Sequence, residues 1–102
     1  AGCATFDAGM QLEPGQEMRL RAEPPRVVTA LVINSGEVPV VLSEFGSDGE
    51  KAALGELAPQ SQKIIKYGKG SEMVLANESG EPAMLVIKVQ GTDTMVVRYP
   101  GR

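Results

Sequence analysis

Hydrophobic and polar residues alternate along most of this chain with a period of two. The clearest example is Glu17–Ala22, in which the even-numbered residues are apolar and the odd-numbered residues are charged. Such alternation is typical of a β-strand with one buried face. No segment keeps the 3.6-residue period of an amphipathic helix. The pattern therefore predicts a chain built of strands.

Turn-forming residues separate the alternating segments. They recur at intervals of about 8–12 residues, a spacing typical of β-sandwiches and barrels. The secondary structure of Lys51–Leu57 stays undecided, because its good helix formers allow one helical turn while Gly55 favours an extended chain. We predict an all-β fold, an antiparallel β-sandwich of about eight strands with Greek-key, jelly-roll or immunoglobulin-like topology. The predicted strands are residues 4–10, 17–22, 27–33, 38–45, 61–67, 72–76, 82–89 and 94–99.

A strand, a polar turn and a second strand make Arg26–Phe45 the most apolar hairpin-like stretch of the first half. Met73–Val89 repeats this order, and both turns contain an Asn followed by Ser-Gly-Glu. Residues 11–42 and 56–87 are therefore candidate repeats of three strands each. The alternative is chance, because strand connections reuse Asn, Ser, Gly and Pro for local reasons.

Length and composition restrict the class of protein. The chain has 102 residues, enough for one core, so we predict a single domain over residues 1–102, with 1–10 as a short first strand or arm. Aromatic residues make up 4%, so the core must be aliphatic. A net charge of −3 argues against nucleic acid as a partner. No apolar run approaches the ~20 residues of a transmembrane helix.

Histidine is absent and cysteine occurs once. This excludes His-based catalytic triads and metal sites built from clustered histidines, and we predict no metal and no cofactor. Ala1–Cys3 resembles the end of the lipobox of bacterial lipoproteins. A lipid anchor at Cys3, with a periplasmic or cell-envelope location, is one interpretation. A cysteine near a processed terminus is the other, and it leaves the location open.

Candidate ligand-binding residues cluster around two glycine-containing turns. Glu44, Asp48 and Glu50 bracket the first turn and could supply oxygen ligands to Ca²⁺, although the spacing is not that of an EF-hand and a solvated loop is the alternative. Tyr67 and Lys69 flank Gly68 in the second turn. Tyr67 could stack on a sugar, and Lys69 could contribute to a modest anion-binding surface.

The functional expectation is a non-catalytic binding or assembly module of a small bacterial protein. We expect no enzyme, because no carboxylate pair is marked by its context. The alternatives are a small-ligand or glycan-binding domain and a hydrolase that uses carboxylates alone. A protein partner or self-association is expected because Pro82–Val89 carries apolar residues on both faces. The irregular segment Glu44–Leu57 is the expected place of function.

Overall fold

A computed structural model describes residues 4–99 of the chain. These residues form nine strands and no helix, and the strands pair in antiparallel fashion. The strands are β1 (Thr5–Leu12), β2 (Glu17–Ala22), β3 (Val28–Asn34), β4 (Val40–Phe45), β5 (Lys51–Leu57), β6 (Gln62–Tyr67), β7 (Glu72–Ala76), β8 (Ala83–Gln90) and β9 (Met95–Arg98).

The strands form two sheets that pack as a sandwich. The four-stranded sheet has the order β1-β8-β3-β6, and the five-stranded sheet has the order β5-β4-β7-β2-β9. Alternate residues of both sheets point into one aliphatic core, as the period of two predicted. The expectation of an all-β antiparallel sandwich is confirmed, with nine strands where about eight were predicted.

Lys51–Leu57, whose structure the sequence left undecided, is strand β5. It pairs with β4 at the edge of the five-stranded sheet. The pairing shifts by one residue between Leu42 and Ser43, where Gly55 has φ +104°. Glycine adopts a positive φ at no steric cost, so Gly55 lets β5 continue past the bulge. The irregular segment predicted over Glu44–Leu57 is therefore limited to the turn at 46–50, between β4 and β5.

The hairpin-like stretch Arg26–Phe45 is not a hairpin. Its two strands, β3 and β4, belong to different sheets. The residues between them form a corner at which the chain crosses from one sheet to the other. The same is true of β7 and β8. Two strands that are consecutive in the chain look alike in sequence whether they pair in one sheet or lie in different sheets. Both connections need a polar turn.

Two buried asparagines hold these corners in the same way. The Asn34 Nδ2 donates to the carbonyl of Leu57 at 3.1 Å, and the Asn77 Nδ2 donates to the carbonyl of Leu12 at 3.0 Å. Each Nδ2 also donates to the carbonyl four residues further along its own corner, at 2.8 and 2.7 Å. Each candidate repeat is thus hydrogen-bonded to the other through an equivalent asparagine. The candidate repeats remain a prediction that this reciprocity supports.

Candidate functional site

The turns of the sandwich gather at its two ends. Because the strands are antiparallel, the turns at 23–27, 46–50, 68–71 and 91–94 lie at one end, which we call the loop end. The corners held by the two asparagines lie at the other. Both candidate glycine-containing turns are therefore at the loop end.

Glu44 is a charged residue on the inward face of a core strand. It lies opposite Met73, a fully buried residue, and opposite residues of an antiparallel pair share a face. The backbone N–H of Gly68 donates to its Oε2 at 3.3 Å. The side chain is half-buried. The Glu44 carboxylate therefore lies at the loop-end edge of the core. Its oxygens can accept further hydrogen bonds.

Tyr67 ends β6 with its ring in the core, where the residue is only 2% exposed. Its hydroxyl is buried and has no hydrogen-bond partner among the described residues. Burial, and secondarily the negative charge of Glu44, raise the pKa of Tyr67 above its ordinary range. The phenol is thus neutral, a hydrogen-bond donor without an acceptor, and close enough to Glu44 to feel its charge.

Two of the four turns at the loop end, 46–50 and 68–71, touch each other. A Cβ on Gly70, which has φ +79°, would lie 3.2 Å from the Cβ of Ser47. Within the first turn, the Asp48 Oδ1 accepts the backbone N–H of Glu50 at 3.0 Å. The turns at 46–50 and 68–71 therefore form one continuous rim beside the Glu44 carboxylate.

The five predicted ligand-binding residues all lie at this end of the sandwich. Glu44 and Tyr67 form an inner pair, whereas Asp48, Glu50 and Lys69 are exposed on the rim. Sequence reasoning assigned Tyr67 a stacking role, which its buried ring does not allow. A further signal was present in the sequence: Glu44 occupies the inward register of an otherwise apolar strand, where a charge is costly unless it is used or paired.

A bound metal ion does not fit these residues. Residues 4–99 contain no group of three or more His, Cys, Asp or Glu side chains placed to hold one. The carboxylates of Glu44, Asp48 and Glu50 share the loop end without converging on a common point, so the Ca²⁺ interpretation is not supported. We derive no chemistry through a metal.

A concave surface lies away from the loop end, on the outer face of the four-stranded sheet. It is an open groove of about 240 Å³ lined by Thr29, Leu31, Ile64, Lys88 and Gln90. Ile64 is 70% exposed there. The lining offers one cation and no acid–base pair, and Asp7 lies opposite Lys88 in the β1–β8 register. We therefore locate the candidate site at the loop end and not in this groove.

Two features bear on cellular context. None of the described residues forms a helix long and apolar enough to cross a membrane. Cys3, the proposed position of a lipid anchor, lies outside residues 4–99. The lipid anchor therefore stays a prediction.

Two solved structures have a similar fold, and one of them is named as a member of the cupin superfamily. One is named as a sugar phosphate isomerase of that superfamily from Silicibacter pomeroyi; its TM-score is 0.57 at 18% identity, over 97% of this chain and 58% of that chain. A second, from Acidithiobacillus ferrooxidans, is named as a candidate sugar phosphate isomerase; its TM-score is 0.54 at 17% identity, over 95% of this chain and 56% of that chain. No family model and no curated protein matches the sequence.

These structures correct the functional expectation drawn from the sequence. We expected a non-catalytic binding or assembly module and no enzyme, and both expectations are contradicted by neighbours that are named for an isomerase. The expectation rested on the absence of histidine and of a carboxylate pair marked by its context. At 17–18% identity the likeness shows the fold alone, and this chain spans little more than half of either neighbour.

Proposed function

We propose that this domain binds a small carbohydrate at the loop end and promotes proton transfer on it. The single observation that carries the proposal is the half-buried Glu44 carboxylate at the loop end, which accepts the backbone N–H of Gly68, the residue next to Tyr67. The carbohydrate class comes from the names of the two structural neighbours. A carboxylate can act as a proton acceptor in such a transfer.

The proposed chemistry is the shift of a proton between adjacent carbons of an open-chain sugar. Glu44 takes the proton from the carbon next to the carbonyl, and the C–H electron pair forms the carbon–carbon double bond of an enediolate. Negative charge develops on the enediolate oxygen, where a hydrogen-bond donor at the loop end would stabilise it. Return of the proton from Glu44 to the neighbouring carbon, with transfer of the hydroxyl proton between the two oxygens, gives the isomer.

Binding is tested by NMR titration of the ¹⁵N-labelled chain with a panel of aldoses and ketoses. We expect the largest chemical-shift changes in the turns at 46–50 and 68–71, and we expect Glu44→Gln to remove them. Glu78→Gln is the matched control, because Glu78 is an exposed carboxylate on a turn at the opposite end. Shift changes confined to the outer groove, or none at all, would contradict the proposed site.

Chemistry is tested by exchange of the carbon-bound proton in D₂O. We expect the chain to catalyse deuterium incorporation next to the carbonyl of a bound sugar. Glu44→Gln should reduce the rate by about 10²–10⁴-fold, the usual contribution of a general base. An unchanged exchange rate in that variant would remove Glu44 from the chemistry. Binding without any exchange would reduce the proposal to the small-ligand alternative that the sequence left open.

A further inference from the structure

A continuous apolar stripe crosses the outer face of the four-stranded sheet. Ile64 is 70% exposed and Met84 is 43% exposed, and both side chains point away from the core. Leu31, Ile33 and Val86 on the same face are half-buried. Val86 lies opposite Ile33, and Leu31 lies opposite Ile64, so the five side chains form one diagonal line from β8 across β3 to β6. Contiguous exposed apolar surface of this kind marks an interaction site.

This outer face has the size and the anatomy of a protein–protein interface. Four strands at a spacing of ~4.8 Å, with a rise of ~3.4 Å per residue, cover roughly 500 Å² in projection. The accessible surface of the face exceeds its projection, which brings it near the ~800 Å² that each partner buries in a stable interface. The stripe occupies the central strands, whereas the edge strands are mostly polar, as in an interface with an apolar centre and a polar rim. The polar residues at the edges are Thr5, Asp7 and Gln11 on β1 and Gln62 and Lys66 on β6.

Opposite charges lie at the two edges of this face. Its charged residues are Asp7 on β1, Lys88 on β8 and Lys66 on β6. Within the part of the chain that the structure describes, none of the three belongs to an ion pair within 4.0 Å. Asp7 and Lys66 are separated by three strand spacings, at least ~14 Å, so they do not pair with each other in one chain. A partner with a cation over β1 and a carboxylate over β6 would satisfy both.

The shape of the face has the same relation between its edges. Ile64 projects from β6, whereas Gly9 on β1 has no side chain and a Cβ added there would meet no atom within 4 Å. The strand registers place Asp7 in line with Ile64, and Gly9 in line with Gln62. Ile64 is therefore displaced from Gly9 by one outward-facing position along the strands. Lys66 is displaced from Asp7 by one such position in the same direction.

We propose that this face binds a second copy of the chain, related to the first by a two-fold axis that lies in the contact plane and runs along the strands. Such an axis places β1 of each copy over β6 of the other, and every contact occurs twice. Packed sheets cross at an angle, which displaces opposite edges along the strands. The same operation thus brings Ile64 of each copy to Gly9 of the other, and Lys66 to Asp7. The face is complementary to itself in shape and in charge, which identifies its occupant as a second copy.

Disulfide trapping tests which strands meet. In a Cys3→Ser background, the Gly9→Cys chain is mixed with the Ile64→Cys chain under mild oxidation, and the products are identified by mass spectrometry. We expect the mixed 9–64 disulfide to dominate, because disulfides form only where Cα atoms lie within ~7 Å. Gln11→Cys mixed with Lys66→Cys is the matched control on the same strands. Those positions are displaced by three outward-facing positions, so they should not be trapped.

Charge exchange tests the same contact without a covalent bond. Asp7→Lys and Lys66→Asp should each raise the dissociation constant of the dimer about tenfold or more, because each places like charges together at two points. The double variant should restore dimerisation. Circular dichroism of each variant separates loss of the dimer from loss of the fold.

Three results would overturn the proposal. Symmetric 9–9 or 64–64 disulfides as the main products would mean that edge strands of the same kind meet. Dimerisation that neither charge variant weakens would place the contact elsewhere. A wild-type chain that stays monomeric at every concentration would exclude a second copy as the occupant and leave the face to a different polypeptide. None of these results bears on the proposed function, which concerns the loop end.

Discussion

At the scale of single residues, the unusual feature is a buried tyrosine hydroxyl that has no partner among residues 4–99. Tyr67 supplies a large apolar ring to a core that is otherwise aliphatic. Satisfied buried polar groups are the rule in native proteins, so the exceptions concentrate at positions with another role. Two measurements separate the structural contribution of this side chain from its functional one.

Tyr67→Phe should leave the free energy of unfolding at pH 7 unchanged, or raise it by about 1 kcal/mol. The reason is that the ring stays in the core while an unpaired hydroxyl, which costs ~1–3 kcal/mol, is removed. Urea denaturation measures the change, and Tyr99→Phe is the control because Tyr99 is about half exposed. A loss of more than about 2 kcal/mol would mean that the hydroxyl has a strong partner in the native state.

The same residue predicts a dependence of stability on alkaline pH. Burial raises the pKa of Tyr67 above its ordinary value of 10.0, so the unfolded chain loses this proton at a lower pH than the folded chain does. The stabilisation is complete below pH 10 and declines as the pH rises above it, by up to ~1.4 kcal/mol per pH unit. The difference in unfolding free energy between wild type and Tyr67→Phe should therefore change only above pH 10. A difference independent of pH from 9 to 12 would contradict the raised pKa.

At the scale of elements, side chains and backbone at the corners and bulges set the topology. Asn34 and Asn77 each satisfy two carbonyls, and each side-chain Oδ1 accepts a backbone N–H of its own corner, at 3.1 and 3.0 Å. Replacing either residue leaves buried backbone groups without partners. Corners of this kind determine which sheet the next strand joins.

Asn34→Ala and Asn77→Ala should each lower the free energy of unfolding by about 2–4 kcal/mol, because several buried hydrogen bonds are lost at once. Similar losses in the two variants are what the candidate repeats require. Chemical denaturation monitored by circular dichroism gives both values, and Gln11→Ala is the control at an exposed position. A large loss in one variant and none in the other would weigh against the repeat.

The two strand glycines offer a matched pair for the bulge. Gly55 has φ +104°, a conformation that L-residues avoid, whereas Gly9 on β1 has no such value and no atom within 4 Å of an added Cβ. Gly55→Ala should therefore destabilise the fold by about 1–2 kcal/mol, while Gly9→Ala should be neutral or slightly stabilising. Thermal unfolding of the two variants measures this. Equal effects would show that β5 has no strained bulge.

At the scale of the whole molecule, the outer face of the four-stranded sheet exposes apolar side chains. Ile64 is 70% exposed and Met84 43%. Self-association through this face stays a prediction from the apolar pattern of β8. Light scattering over a wide concentration range should give a mass above the monomer's 10.8 kDa, and Ile64→Lys should return it to that value. Glu78→Lys is the control, because Glu78 is exposed on the turn between β7 and β8 and not on this face. A strictly monomeric wild type would remove the prediction.

Sequence reasoning reached the candidate site only in part. It selected Glu44, Tyr67 and Lys69 from two glycine-containing turns, and those turns lie together because antiparallel strands return their ends to the same side. It misjudged Tyr67, because exposure of an aromatic ring depends on which face of its strand meets the other sheet. It also took β3 and β4 for a hairpin, since a polar turn between apolar strands does not reveal whether they pair or cross.

The sequence by itself determined the class of this protein: alternation with a period of two and regular turn residues indicate an all-β sandwich or barrel with one aliphatic core. The tertiary structure decided which strands are neighbours, that the corners are held by two asparagines, and that a carboxylate and a phenol from distant strands share one end. Those features depend on contacts between residues far apart in the chain. Local patterns carry no information about such contacts, because burial and pairing are fixed only when the sheets pack.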